Sequence, residues 1–128
     1  MAHLTEGDGT MRTVMQKFEA DCGVACVAML TGVSYEEARR AVYPDGKMRL
    51  TSSGKLRAAL TKLGRPPVEG NMKAKGRTAL KSLPSDALLK VQPTCCSTKH
   101  WVVWDHDKQV KRDPYPLQHR VTHYLLVP

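Results

Sequence analysis

Residues 16–32 read QKFEADCGVACVAMLTG, and the reading of this stretch decides the fold. From Cys22 onward, Val24, Ala25, Val27, Ala28, Met29 and Leu30 cover nearly every side of a single helix. A helix that is apolar all round is a buried one, so the other elements must pack around it. Gly32 ends it at about Thr31, because glycine takes the left-handed conformation that closes a helix without penalty. Asp21 is expected to cap its start with the carboxylate, which also complements the positive end of the helix dipole.

Two further helices follow. Ser34-Tyr35-Glu36-Glu37 is a capping box, with a serine and then a glutamate three residues later. It predicts a short amphipathic helix to about Val42. After the turn at Tyr43-Pro44-Asp45-Gly46, Thr51 or Ser53 is expected to cap a third helix, in which Leu56, Ala59, Leu60 and Leu63 recur at helical spacing. Gly64 and Pro66-Pro67 stop it.

Beyond that point the period changes. Residues 67–72 are expected to form a short strand and 77–83 a helical turn ahead of Pro84. The run 87–91 is apolar and reads as a buried strand, and His100-Trp101-Val102-Val103-Trp104-Asp105 is rich in β-formers on both faces. His106-Asp107-Lys108 makes a hairpin turn into 109–112, Asp113-Pro114-Tyr115-Pro116 breaks the pairing, and 121–127 supplies a last strand. Helices first and strands after is the α+β pattern, an N-terminal helical layer on a C-terminal antiparallel sheet. Residues 1–13 read as a loose arm and 14–128 as one domain.

Composition bounds the function. The chain has 128 residues, enough for one core, with ordinary hydrophobic and charged fractions of 41% and 25%. Its formal charge of +8 suits an acidic partner. The basic residues are scattered, however, and no aromatic-interleaved basic run is present, so nucleic acid is not the expected partner. No stretch has the length of a membrane span, and the first residues lack the apolar core of a secretory signal. Both points imply the cytoplasm, where four cysteines are expected as thiols.

A cysteine becomes a useful nucleophile where its thiolate is favoured, as at a helix start beside an imidazolium. Cys22 meets the first condition. His100 is the best candidate for the second, because it begins the strongest strand directly after a loop. His119 and His123 are its substitutes, read otherwise as surface groups at a strand edge. The imidazole needs an orienting acceptor. Asp113 follows one hairpin later, where antiparallel pairing brings it back to His100, and Asp105 and Asp107 compete for the role. Gln16 and the Cys22 backbone N–H are candidate donors to an oxyanion. Losing one such donor removes roughly 10²–10³ in rate, so Gln16→Ala is expected to cripple turnover of any peptide substrate, as a kcat measurement will show.

Gln16, five residues, Cys22-Gly23, then Ala25 and Met29-Leu30 resemble the start of the bacteriocin-processing cysteine peptidases, which cut double-glycine leader peptides. His100-Trp101-Val102-Val103 and Asp113-Pro114 resemble that family's histidine strand and Asp-Pro pair, so the likeness spans residues 14–116. The resemblance implies a stand-alone papain-like domain with Cys22 as nucleophile, His100 as base, Asp113 as its orienter and Gln16 in the oxyanion hole. The implied substrate is an extended peptide or protein segment cut after small residues such as Gly-Gly, with Gly23 and Trp101 as candidate substrate-binding residues. No cofactor and no metal are expected: the spacing of Cys22, Cys26, Cys95, Cys96, His119 and His123 matches no usual zinc pattern.

Two rival functions use the same residues. A thioester on Cys22 could pass its acyl group to an amine, giving an acyl transferase or amidase. Alternatively the domain is a non-catalytic binding module, bacterial or phage, that blocks a host protein. Cys26, one turn deeper than Cys22, is expected in the core.

Overall fold

The computed structural model describes residues 10–17, 21–47, 51–95 and 98–128. His3, Cys96 and residues 1–9 of the expected arm lie outside them. Helix α1 (Cys22–Thr31) has every residue from Cys22 to Leu30 buried, as its all-round apolar sequence requires. Burying Val24, Val27 and Leu30 contributes about 1.5–3 kcal/mol each. Gly32 ends α1 in the left-handed region at φ 76°, and its N–H donates to the Ala28 carbonyl at 2.9 Å.

Helices α2 (Tyr35–Val42) and α3 (Ser53–Lys62) pack on α1 and on each other. Ser34 caps α2 by accepting from the Glu37 N–H at 3.1 Å, as expected. The cap of α3 is neither Thr51 nor Ser53 but Ser52, whose hydroxyl accepts from the Lys55 N–H at 3.3 Å. Thr51 instead meets the buried Tyr43 hydroxyl at 2.9 Å. Past α3, the Gly64 N–H reaches the Thr61 carbonyl and the Arg65 N–H the Leu60 carbonyl, the paired bonds of a Schellman stop.

Five strands form one antiparallel sheet: β1 (Lys73–Ala74), β2 (Asp86–Pro93), β3 (His100–Asp105), β4 (Val110–Arg112) and β5 (His119–Val127). Their order across the sheet is β1-β5-β2-β3-β4. The helices cover one face, where Leu88, Trp101, Val103 and Leu125 share one core cluster with α1, and β3 is the strand that α1 packs against. On the other face Leu83, Ala87, Leu89, Val91, Val102 and Trp104 form a second cluster. Trp101 and Trp104 thus face opposite sides of β3, both in core.

One expectation is corrected here. Residues 67–72 are not a strand. The Arg57 guanidinium donates to the Val68 and Gly70 carbonyls, Gly70 turns the chain at φ 94°, and the strand begins only at Lys73. The helical turn expected within 77–83 is present as a 3-10 turn at Leu80–Ser82.

Arg65 locks the two layers together. It donates to the Leu30 carbonyl at the end of α1, to the Asp86 carboxylate at 2.7 Å, and to the Val127 carbonyl at 3.0 Å. Gly23 does a similar service where α1 meets α3. A Cβ there would stand 2.8 Å from Leu56 Cδ2 and 3.1 Å from the Thr51 hydroxyl, which Tyr43 already holds. Overpacking of this kind costs about 1–3 kcal/mol, against a helix-propensity gain of at most ~1 kcal/mol. Gly23→Ala is therefore expected to lower the urea midpoint of unfolding; an unchanged or raised midpoint would contradict this packing.

Candidate active site

Cys22 is the first residue of α1, where main-chain N–H groups lack intrahelical acceptors and a negative charge is favoured. It is 6% exposed. Asp21 does not cap this helix as expected: its side chain makes no capping bond. The carboxylate turns back to accept from the Lys17 N–H at 3.1 Å, which leaves the helix start to other acceptors. The preceding segment is also held by the Gln16 N–H, which donates to the Pro114 carbonyl at 2.9 Å. Gln16 is thereby tied to the residue after Asp113 on one side and is close in sequence to Cys22 on the other.

β3 opens with His100, paired across to Val91 of β2. The hairpin from Asp105 to Val110, with Gln109 in the left-handed region at φ 56°, returns the chain as β4 alongside β3. Asp113 follows directly, and its Oδ1 lies 2.7 Å from His100 Nε2. Cys22 lies close enough to act on the same ring, and its sulfur helps to raise the imidazole. Asp113 occupies Nε2, which leaves Nδ1 without that partner. Of the four residues singled out in the sequence, His100 and Asp113 are thus in contact, Cys22 acts on the ring, and the Gln16 main chain is bonded to the residue after Asp113.

The competing carboxylates are committed elsewhere. Asp105 is buried and takes a two-pronged bond from Arg112, at 3.0 Å from Nε and 2.9 Å from Nη2, while Asp107 is exposed in the hairpin turn. Cys26 is fully buried, and desolvation first, then the charges of Cys22 and Asp113, push its thiol well above the usual range. Cys95 is exposed.

The charges of the site reinforce one another. Burial is the strongest single influence on His100 and opposes its charged form. The hydrogen bond to Asp113 and the nearby Cys22 sulfur, with their charges, outweigh it and raise the imidazole to about 9. Burial likewise opposes the Asp113 carboxylate, yet the bonds from His100 and from the Tyr115 and Leu117 N–H groups hold it below the ordinary carboxylate range. The result is a buried imidazolium with a carboxylate on one flank and a sulfur on the other.

The two residues expected to contact substrate are both occupied in packing. Gly23 is buried against α3. Trp101 is 5% exposed, donates from Nε1 to the Thr51 carbonyl at 3.2 Å, and has Lys90 Nζ 5.8 Å from its ring centroid. His119, expected at the surface, has a side chain only 5% exposed and lies 3.6 Å from Asp113 Oδ2. The pairing of β5 with β2 brings it there, and nothing in the local sequence signals that pairing.

A cavity of about 250 Å³ lies at the far end of β3, lined in part by Arg65, Asp86, Asp105 and His106. Of its charged lining groups, Arg65 pairs with Asp86 and Asp105 with Arg112. Among the described residues no group of His, Cys, Asp or Glu is arranged to hold a metal ion, and no helix is long and apolar enough to cross a membrane. No model of a known protein family matches the chain, and no curated protein matches it significantly.

Proposed function

We propose that this protein is a cysteine peptidase of papain-like arrangement, acting in the cytoplasm on an extended peptide or protein segment. The observation that carries the reading is the His100 ring, bonded to Asp113 on one nitrogen and engaged by the Cys22 thiol. The chain order Gln16, Cys22, His100, Asp113, like that of the bacteriocin-processing peptidases, supports the same conclusion.

In this reading the Cys22 thiolate attacks the scissile carbonyl carbon, and charge moves onto the carbonyl oxygen. Donors from the α1 start and from Gln16 receive that oxyanion. The C–N bond then breaks as the His100 imidazolium gives its proton to the leaving amine. The thioester that remains is attacked by water, from which the now neutral His100 takes a proton, and Cys22 leaves as thiolate. Asp113 stays ionised throughout and keeps the ring turned toward the sulfur. Cleavage after small residues such as Gly-Gly fits a nucleophilic residue that is only 6% exposed.

The test is to offer the protein a panel of peptides containing Gly-Gly while titrating it with iodoacetamide. Cleavage should stop when one equivalent has reacted, with the label mapped to Cys22 by mass spectrometry. If Cys95 takes the label with loss of activity, or Cys22 is alkylated without any, the reading is overturned.

A further inference from the structure

His119 stands beside the triad but takes no part in the chemistry just described. Its Nδ1 is 2.7 Å from the Leu117 carbonyl oxygen, which can only accept, so Nδ1 carries the proton. Nε2 is 3.1 Å from Lys111 Nζ, which as an ammonium can only donate, so Nε2 holds the lone pair. Both nitrogens are assigned, and the ring is a neutral Nδ1–H tautomer wedged between a carbonyl and an ammonium. The groups facing it are Lys111 in the middle of β4, Asp113 in the loop and His100 on β3. Burial first, then Lys111 and His100, lower its affinity for a second proton against the opposing pull of Leu117 and Asp113.

The residue it grips also holds the triad carboxylate. Residues 114–117 are Pro-Tyr-Pro-Leu, and proline has no N–H. The two main-chain donors of this segment are therefore Tyr115 and Leu117, and both point at Asp113, at 3.0 Å to Oδ1 and 3.3 Å to Oδ2. A shift of Leu117 removes one of the two backbone bonds that aim the carboxylate.

We propose that His119 is a positioning residue of the triad: Lys111 fixes its tautomer, its Nδ1–H fixes Leu117, and Leu117 aims Asp113 at His100. The activity arm of the test rests on the peptidase reading; the spectroscopic arm does not. Asparagine places its amide nitrogen near the Nδ1 position and can keep the bond to Leu117, whereas glutamine reaches only toward the Nε2 position. Misplacing a group by about 1 Å can cost about 10²-fold, so His119→Ala and His119→Gln should each lose between about tenfold and about 10²-fold in kcat, with KM within twofold. His119→Asn should stay within about threefold. The His100 titration, followed by NMR of labelled histidine, should move down from about 9 in the Ala and Gln variants and stay in place in Asn. A role in fold stability alone would lower unfolding midpoints without moving that titration. Equal impairment of Asn and Ala, or a folded Ala variant with an unmoved His100 titration, would overturn the proposal. If His119→Ala does not fold, His119→Gln, which keeps the bulk of the side chain but cannot reach the Leu117 carbonyl, must show the downward movement of His100; its absence is equally decisive. Wild-type protein that cleaves no peptide overturns the peptidase reading, and the titration still decides the role of His119.

Discussion

Cys22→Ala is expected to abolish peptide cleavage, with kcat lower by about 10⁴-fold or more, the scale on which losing a nucleophile removes the covalent route. The loss should fall on turnover and not on folding. Cys22 sits at the rim of the core at the first position of α1, and alanine suits a helix and keeps most of the packing. Its unfolding midpoint should therefore stay close to that of the parent. Cys26→Ala is the control: Cys26 lies one turn deeper and is wholly buried, so its removal opens a small void in the core and leaves the reacting atoms in place. Stability should suffer there and catalysis should not. If Cys22→Ala still turns over peptide at a tenth of the parent rate, the sulfur is not the nucleophile. The domain would then be better read as a binding module.

The site was legible in the sequence because two of its links are short-range. A cysteine after Asp21 and before an apolar helix has to stand at a helix start, whatever else the fold does. A histidine at the head of one strand and an aspartate at the foot of the next, thirteen positions on through a hairpin, return to each other by antiparallel pairing alone. What could not be read depends on side-chain contacts that local pattern does not encode. In place of the strand expected at 67–72, Arg57, eleven residues earlier, takes the Val68 carbonyl. Asp21 has the composition of a cap, but Lys17 offers its N–H and takes the carboxylate away. Gly23 reads as part of a motif, yet its missing side chain is required by Leu56 on another helix.

The sheet order explains the remaining surprise. β5 was legible as a strand but not as the one inserted between β1 and β2. That insertion pairs His119 with Pro93 and carries the start of β5 to the end of the sheet where β3 begins with His100. A histidine that looks like an edge residue in sequence is thus brought under the loop that holds Asp113. Local pattern finds Cys22, His100 and Asp113; sheet topology finds His119 beside them.

Asp113→Asn is the second large effect. The carboxylate accepts from His100 Nε2–H at 2.7 Å and so leaves Nδ1 for the sulfur. Asparagine offers an oxygen or an N–H of similar size but no charge, and it no longer selects the productive ring state. Loss of the orienting carboxylate in a triad lowers kcat by about 10⁴-fold. The pH dependence carries the sign of the interaction. His100 is raised to about 9 because, although burial opposes the charge most, Asp113 and Cys22 together overcome it. Activity that needs the imidazolium should persist to about pH 9 and fall above it. In Asp113→Asn that alkaline limb should move down toward ~6.5, the ordinary histidine value. Stability follows the same linkage. The raised His100 contributes fully below its unfolded value and loses that contribution as pH rises through about 9; the lowered Asp113 contributes above its unfolded value and loses it as pH falls through its folded one. The pair thus stabilises the parent most between roughly pH 4 and 6.5, and the variant's unfolding midpoint should drop most in that window and least above pH 9. An alkaline limb that stays at the parent position in Asp113→Asn would show that the carboxylate does not hold the proton on His100, and the triad would lose its third member.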